Sequence, residues 1–251
     1  MKTIEFFKGE LRKYLFELKT YYPDQIVSVL ITIFIFIVMG MMNGNMNDST
    51  FYVGFVYWFL LSSLIGEAAI STSSEKQMGI LDQLMIQPVG LKKLIIIRSS
   101  VWGMVNFIKV ILSLVILKII LGLPIGFHWG MIPLFLVVSF GILGFTLFLC
   151  ALTLKYTKTA SFESIISYSL MILSGAVFPL ASLPKAIQLI GNYLPITQGI
   201  AMSKKLILGE TVSLQYFVPL AVVSIIYFFI GFLLFNFILE KSRVAGLDKH
   251  Y

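Results

Sequence analysis

Six stretches of this 251-residue chain are apolar for roughly the 20 residues that a bilayer-crossing helix requires. They run over about 26–42, 51–70, 99–121, 131–152, 164–181 and 217–238. Ahead of them, MKTIEFFKGELRKYLFELKTYYPDQ places Ile4, Phe7, Leu11, Leu15, Leu18 and Tyr22 at alternating spacings of three and four, with Lys and Arg largely opposite. That periodicity predicts an amphipathic helix lying in the membrane interface over 1–24. Pro23 and Asp24 then mark the turn into the first span. The expected fold is an all-α integral membrane protein with six transmembrane helices, one membrane-embedded domain over 1–251.

Two links interrupt the apolar pattern with structure of their own. Residues 73–100, SSEKQMGILDQLMIQPVGLKKLIIIRSS, begin too polar for lipid yet carry Met78, Leu81, Leu84 and Met85 at helical spacing. Gly79 interrupts, and Pro88 with Gly90 ends the pattern, so a short helix at the membrane face is expected over 75–90, with Glu75, Asp82 and Gln83 available to the cytoplasm. By pattern alone it serves equally as a connector. Residues 173–210 start at membrane-grade hydropathy and then break at Pro179, Pro184 and Pro195. Broken backbone at membrane depth is tolerated only where protein or a water-filled cavity satisfies its polar groups. The prolines therefore predict a re-entrant element over 182–197, with Leu183, Ile187, Ile190 and Leu194 packed back on the spans. An ordinary external loop is the competing reading.

Composition removes the soluble alternatives. The chain is 58% hydrophobic and 12% charged, about half the charge of an ordinary globular domain. Basic residues also set a topology. Fourteen Lys and Arg lie in the amino-terminal segment, the 71–98 and 153–163 links and the tail, against three (Lys185, Lys204 and Lys205) in the alternate links. The positive-inside bias places both termini in the cytoplasm, and it accounts for the net charge of +7 without a nucleic-acid partner. The first apolar core begins only near Ile26 with no small-residue cleavage pattern after it, so the first helix is expected to stay in the mature protein.

Catalytic signatures are missing from the sequence. It holds no GxxxxGK[ST] phosphate loop, no His-Glu-x-x-His or Cys-x-x-Cys metal spacing and no Gly-x-Ser-x-Gly elbow, the patterns that would announce nucleotide, metal or nucleophile chemistry. His128 and His250 are far apart, and the single Cys150 sits in an apolar run. Energy for any driven process must come from a partner or an ion gradient. Lys109 is the most costly residue: it falls near mid-bilayer, eleven residues past Arg98 or about 16 Å along a helix. Such a lysine costs about 2.5–3.5 kcal/mol unless paired or hydrated. It should face the bundle interior or a subunit interface together with Asn106 on the same face, as a structural ion pair or as a pathway lining. Glu67 and Glu163 fall near the ends of their predicted spans.

Two segments resemble one family. EKQMGILDQLMIQPV is similar to the Glu-Arg-x-x-Gly-Thr-Leu-Glu-x-Leu-x-x-x-Pro-Val pattern of type-2 permeases of ATP-binding-cassette transporters: Glu75, Gly79, Leu81, Leu84, Pro88 and Val89 match, while Lys76, Ile80 and Asp82 stand for Arg, Thr and Glu. The second resembles that family's Ser-Gly-x-x-Phe-Pro-Leu-x-x-Leu-Pro run, through Ser174, Gly175, Phe178, Pro179, Leu180, Leu183 and Pro184. Leu-Pro-x-Thr follows at Leu194, Pro195 and Thr197, closing at Leu208 and Gly209, and Lys204–Lys205 stand near where many members carry Arg.

The resemblance implies the membrane-spanning subunit of a bacterial drug- or antibiotic-exporter-like transporter in the cell membrane. It would pair with a second copy or a paralogous permease, and two separate ATPase subunits would bind the ATP and Mg, leaving this chain with no cofactor or catalytic residue. It implies ATPase coupling through Glu75, Met78, Gly79, Leu81, Asp82, Gln83 and Pro88. An external gate would be built on Ser174, Gly175, Phe178, Pro179, Pro184 and Pro195. Asn106 and Lys109 would line the pathway or an interface. The aromatic-rich spans suit an amphiphilic drug, antibiotic, peptide or lipid-linked molecule; a polysaccharide exporter of the same family is the alternative. An ion-coupled secondary transporter would need carboxylates near mid-membrane, and an intramembrane enzyme a convergent catalytic set.

Overall fold

The computed structural model describes residues 2–43, 48–80, 83, 90–122, 124–156, 160–177 and 179–245. Among these, every regular element is helical: α1 Lys2–Thr20, α2 Tyr22–Asn43, α3 Phe51–Gln77, α4 Leu91–Leu121, α5 Met131–Lys155, α6 Ala160–Leu173, a 3-10 turn Leu180–Ser182, α7 Lys185–Asn192, α8 Pro195–Ile207 and α9 Leu214–Ala245. Helix is the only open-ended way for a chain to cross lipid with its backbone polar groups paired. Five of the helices, α2, α3, α4, α5 and α9, are long and apolar enough to do so. The chain is an all-α, multi-pass integral membrane protein.

Three element ends differ from the sequence expectation. The fifth span, expected over 164–181, stops at Leu173, and α6 is a shorter apolar helix of 14 residues. Ser174 ends it: its hydroxyl donates to the Met171 carbonyl and accepts from the Ala176 amide, both at 3.3 Å, and Gly175 turns the chain at φ 70°. Helix α3, expected to end near residue 70, runs on to Gln77 because its polar last turns are satisfied internally. Thr72 and Ser74 donate to the carbonyls of Ala68 and Ser71, and Lys76 Nζ reaches the Leu154 carbonyl of α5 at 2.7 Å. The first break lies at Tyr21, with Pro23 inside the first turn of α2, where its missing N–H costs little.

The hub is α3, packed on α4, α5, α6 and α8, with Phe55, Tyr57, Leu60, Leu61 and Ile65 almost fully enclosed. Between helices in lipid, burial of apolar surface supplies little drive, so close backbone approach and interhelical hydrogen bonds carry the packing. Both devices are present. The most extensive helix pair is α5 with α9, where a Cβ added at Gly144 would meet the Tyr227 carbonyl and one at Gly231 would meet the Gly144 backbone. Trp58 Nε1 donates to the Ser167 carbonyl of α6 at 3.0 Å. The outward faces of α2, α4 and α9 remain apolar and exposed, Leu30, Phe34, Ile119, Phe229 and Leu233 among them.

Candidate functional site

Sequence put the coupling residues on the link after α3, and the structure shows how that link is anchored. Helix α3 ends in a Schellman motif: the Gly79 amide bonds the Lys76 carbonyl at 3.1 Å and the Ile80 amide bonds the Glu75 carbonyl at 3.0 Å. This closure requires the left-handed φ of 69° at residue 79, which glycine adopts without a Cβ clash. Met78 is 62% exposed at that turn, and Gln83 is exposed. Leu81, Asp82 and Pro88 lie outside the described residues, as does most of the short helix expected over 75–90.

Glu75 does not face the cytoplasm. It is 8% exposed, and its Oε1 lies 2.5 Å from Arg98 Nη1 of α4. The same guanidinium places Nε 3.3 Å from Glu10 Oε1 of α1. One buried arginine therefore ties the end of α3 to the amphipathic helix and to the second turn of α4. Two carboxylates are needed because an isolated buried guanidinium is very costly, whereas a paired and hydrogen-bonded one is tolerated.

Helix α1 docks through Phe6, Glu10 and Tyr14, spaced four apart. Phe6 packs against the apolar cluster around Leu91, Leu94 and Leu239, and the Tyr14 ring meets Trp102 edge-on at 6.5 Å between centroids. None of Phe6, Glu10 and Tyr14 belongs to the predicted apolar stripe, in which Ile4 and Leu15 stay more than half exposed. The Tyr14 hydroxyl lies beside the Glu67 carboxylate and interacts with it electrostatically. Burial first, then the charges of Glu67 and Glu17, holds the Tyr14 phenol well above its ordinary value, so it remains a protonated donor.

Glu67 also pairs with Asn106, the residue expected to share the face of Lys109. Asn106 is 4% exposed and its Nδ2 donates to Glu67 Oε1 at 2.8 Å. Lys109, half-buried one turn away, has Glu67 and then Asp24 as its electrostatic partners. With α3 extended to Gln77, Glu67 stands ten residues inside the helix rather than at its end. Glu10, Tyr14, Glu67, Glu75, Arg98 and Trp102 together border a cavity of about 360 Å³. Sequence reasoning had singled out Glu75, Asn106 and Lys109; it missed Arg98, Glu10 and Tyr14, and had discounted Glu67.

The proline-broken segment follows α6 at the other end of the packed α3–α6 pair, where Ala176 backs onto Gly54. Pro179 precedes the 3-10 turn; the Pro184 carbonyl receives the Ile187 and Gln188 amides that start α7; Pro195 occupies the first turn of α8. These are positions where a missing N–H is harmless. Helix α8 then returns into the bundle, burying Ile196, Gly199, Ile200 and Ser203 against α3 and α5. Ser203 Oγ lies 2.8 Å from the Tyr57 hydroxyl, and Thr197 Oγ1 donates to the Leu173 carbonyl that α6 leaves free. Of the four apolar residues expected to pack back, Leu194 is buried at 5%, Leu183 and Ile187 are half-buried and Ile190 is 55% exposed, with buried Gly191 beside it. Phe178 lies outside the described residues.

No curated protein matches this chain in sequence. The family description ABC-2 type transporter matches residues 8–208, from the amphipathic helix to the end of α8. That match spans most of the chain and takes in both the ionic joint and the proline-broken element, and the protein belongs to the ABC-2 type transporter family as a membrane permease component.

Proposed function

We propose that the chain is the membrane-spanning subunit of an exporter. It forms a translocation pathway with a second permease, a further copy or a paralogue, and two separate ATPase subunits drive it. ATP and Mg bind to those subunits, and this chain contributes no catalytic residue. The observation that carries the reading is the placement of Arg98 between Glu75 and Glu10. An ATPase pressing on the link after Met78 acts on a helix end closed by its own Schellman turn. Arg98 passes that displacement to α4 and α1 together.

The second tie, from Glu67 to Asn106 and Tyr14, lies eight residues or about 12 Å further along α3. Helices α1, α3 and α4 then move as one body, as alternating access demands. The helix pair α7–α8 is the external closure in this scheme, and the bias of Lys and Arg supports cytoplasmic termini. Exposed aromatic and aliphatic helix faces favour an amphiphilic drug, antibiotic, peptide or lipid-linked substrate. The test is to reconstitute the chain with its ATPase and follow substrate flux with ATP turnover. Arg98→Gln should retain assembly and hydrolysis and lose most flux per ATP; unchanged flux per ATP would remove the joint from the mechanism.

A further inference from the structure

Helices α4 and α5 both pack on α3 but barely touch each other. The gap between them is a groove of about 510 Å³ opening sideways between exposed Met104 and Ile111 of α4 and Leu136 and Phe140 of α5. Small residues line it on both sides, Ser99, Ser100 and Gly103 on α4 and Ser139 on α5. The two tyrosines in its floor present carbon to it. The Tyr52 hydroxyl bonds the Gly126 carbonyl and the Tyr57 hydroxyl is engaged by Ser203. Apart from its serines the lining is apolar, which suits hydrocarbon better than water.

On α4 the groove is lined by Ser100, Met104, Phe107, Ile111 and Leu114, spaced four and three apart. The next position in that stripe is Lys118, which is exposed and in no ion pair among the described residues. From Ser100 to Leu114 the groove runs about 21 Å, the length of an extended acyl chain. Phe127 lines its Lys118 end, and the Phe127 and Trp129 rings meet edge-on at 5.3 Å. Trp129 is 77% exposed, and exposed tryptophan marks the headgroup level of a bilayer. We infer that this groove is a binding site for one phospholipid, with an acyl chain between α4 and α5 and its phosphate on Lys118. The inference rests on the chain's membrane location and on this geometry, and is independent of the exporter reading.

The test uses the full chain in proteoliposomes. They carry a trace of an anionic phospholipid with a photoreactive diazirine on one acyl chain or, in parallel, a diacylglycerol bearing the same chain; adducts are mapped by peptide mass spectrometry. The site requires the phospholipid probe to label 104–114 and 132–143 several-fold more than the exposed 222–237 face of α9. It also requires labelling about fivefold above the diacylglycerol, the factor set by about 1 kcal/mol for one basic residue near a membrane surface. Lys118→Glu must erase that advantage. Ser139→Phe must empty the groove of adducts while α9 labelling stays constant. Equal labelling of groove and α9 would reduce the occupant to surrounding bilayer, and an absence of adducts at 104–114 while α9 labels normally would show the groove closed to lipid; either overturns the proposal. Since Lys118 is exposed, its arm stands even if the Ser139 variant fails to fold.

Discussion

Arg98 Nη1 stands 2.5 Å from Glu75 Oε1, joining the second turn of α4 to the last turn of α3 while Glu10 of α1 holds the opposite edge of the guanidinium. Removing the arginine leaves the buried Glu75 carboxylate and the partly buried Glu10 without their cation, and breaking a buried pair from one side costs about 3–5 kcal/mol. Arg98→Leu should therefore lower the thermal stability of the detergent-purified chain far more than Glu10→Gln. A double variant, Arg98→Leu with Glu75→Leu, should recover part of the loss. Equal Tm values for the three single and double variants would show that the joint carries no stability.

The tie between Asn106 and Glu67 is open to a double-mutant cycle. Asn106→Ala leaves Glu67 Oε1 short of a donor, a penalty of about 1–3 kcal/mol. With Glu67→Leu alongside, both partners are apolar and the cost should shrink. Additive losses measured by chemical or thermal denaturation would mean that the 2.8 Å hydrogen bond couples nothing.

Detachment of the amphipathic helix can be read by hydrogen exchange. Tyr14→Phe removes the hydroxyl beside Glu67 and keeps the ring against Trp102, so exchange should rise in α1 and remain unchanged in α5 and α9. Uniform exchange across all three would place the hold on α1 elsewhere.

Much of the architecture was legible because bilayer thickness and backbone satisfaction leave few choices for an apolar run. Five of the six expected spans are helices of crossing length. The misread ends have local causes: polar Thr72 and Ser74 looked like loop but bond their own helix, and Ser174 with Gly175 stops an apolar run that hydropathy alone would continue. Helix α8 also left a signal in Ile196, Gly199, Ile200 and Ser203, spaced three, one and three apart. The partners of Arg98 were not legible, because residues 10, 75 and 98 meet only once three helices have packed. No local pattern encodes that meeting.

Glycine contacts between α5 and α9 predict a large response to a small change. A side chain at Gly231 would meet the Gly144 backbone, which cannot rotate away. Gly231→Val should cost about 1–3 kcal/mol or more, whereas Gly209→Ala, in open space but at φ 81°, should cost about 1 kcal/mol from backbone strain alone. Similar Tm values for Gly231→Val and the parent would contradict the close packing of this pair.

The proline-broken element can be mapped with single cysteines in a Cys150→Ser background, using a membrane-impermeant thiol reagent on intact cells. Ile190→Cys should label quickly and Leu194→Cys or Ile196→Cys slowly, following their burial. Comparable rates at all three would mean that α8 does not return into the bundle.

In the proposed function this permease is driven by separate ATPase subunits acting through the end of α3. ATP hydrolysis in nanodiscs, measured for the purified chain alone, for its ATPase alone and for the two co-expressed and co-purified, tests this most directly. The expected result is no hydrolysis by the chain, a stable equimolar complex, and turnover in that complex which substrate accelerates. Hydrolysis by the isolated chain, or an ATPase that neither binds it nor responds to it, would overturn the proposed coupling.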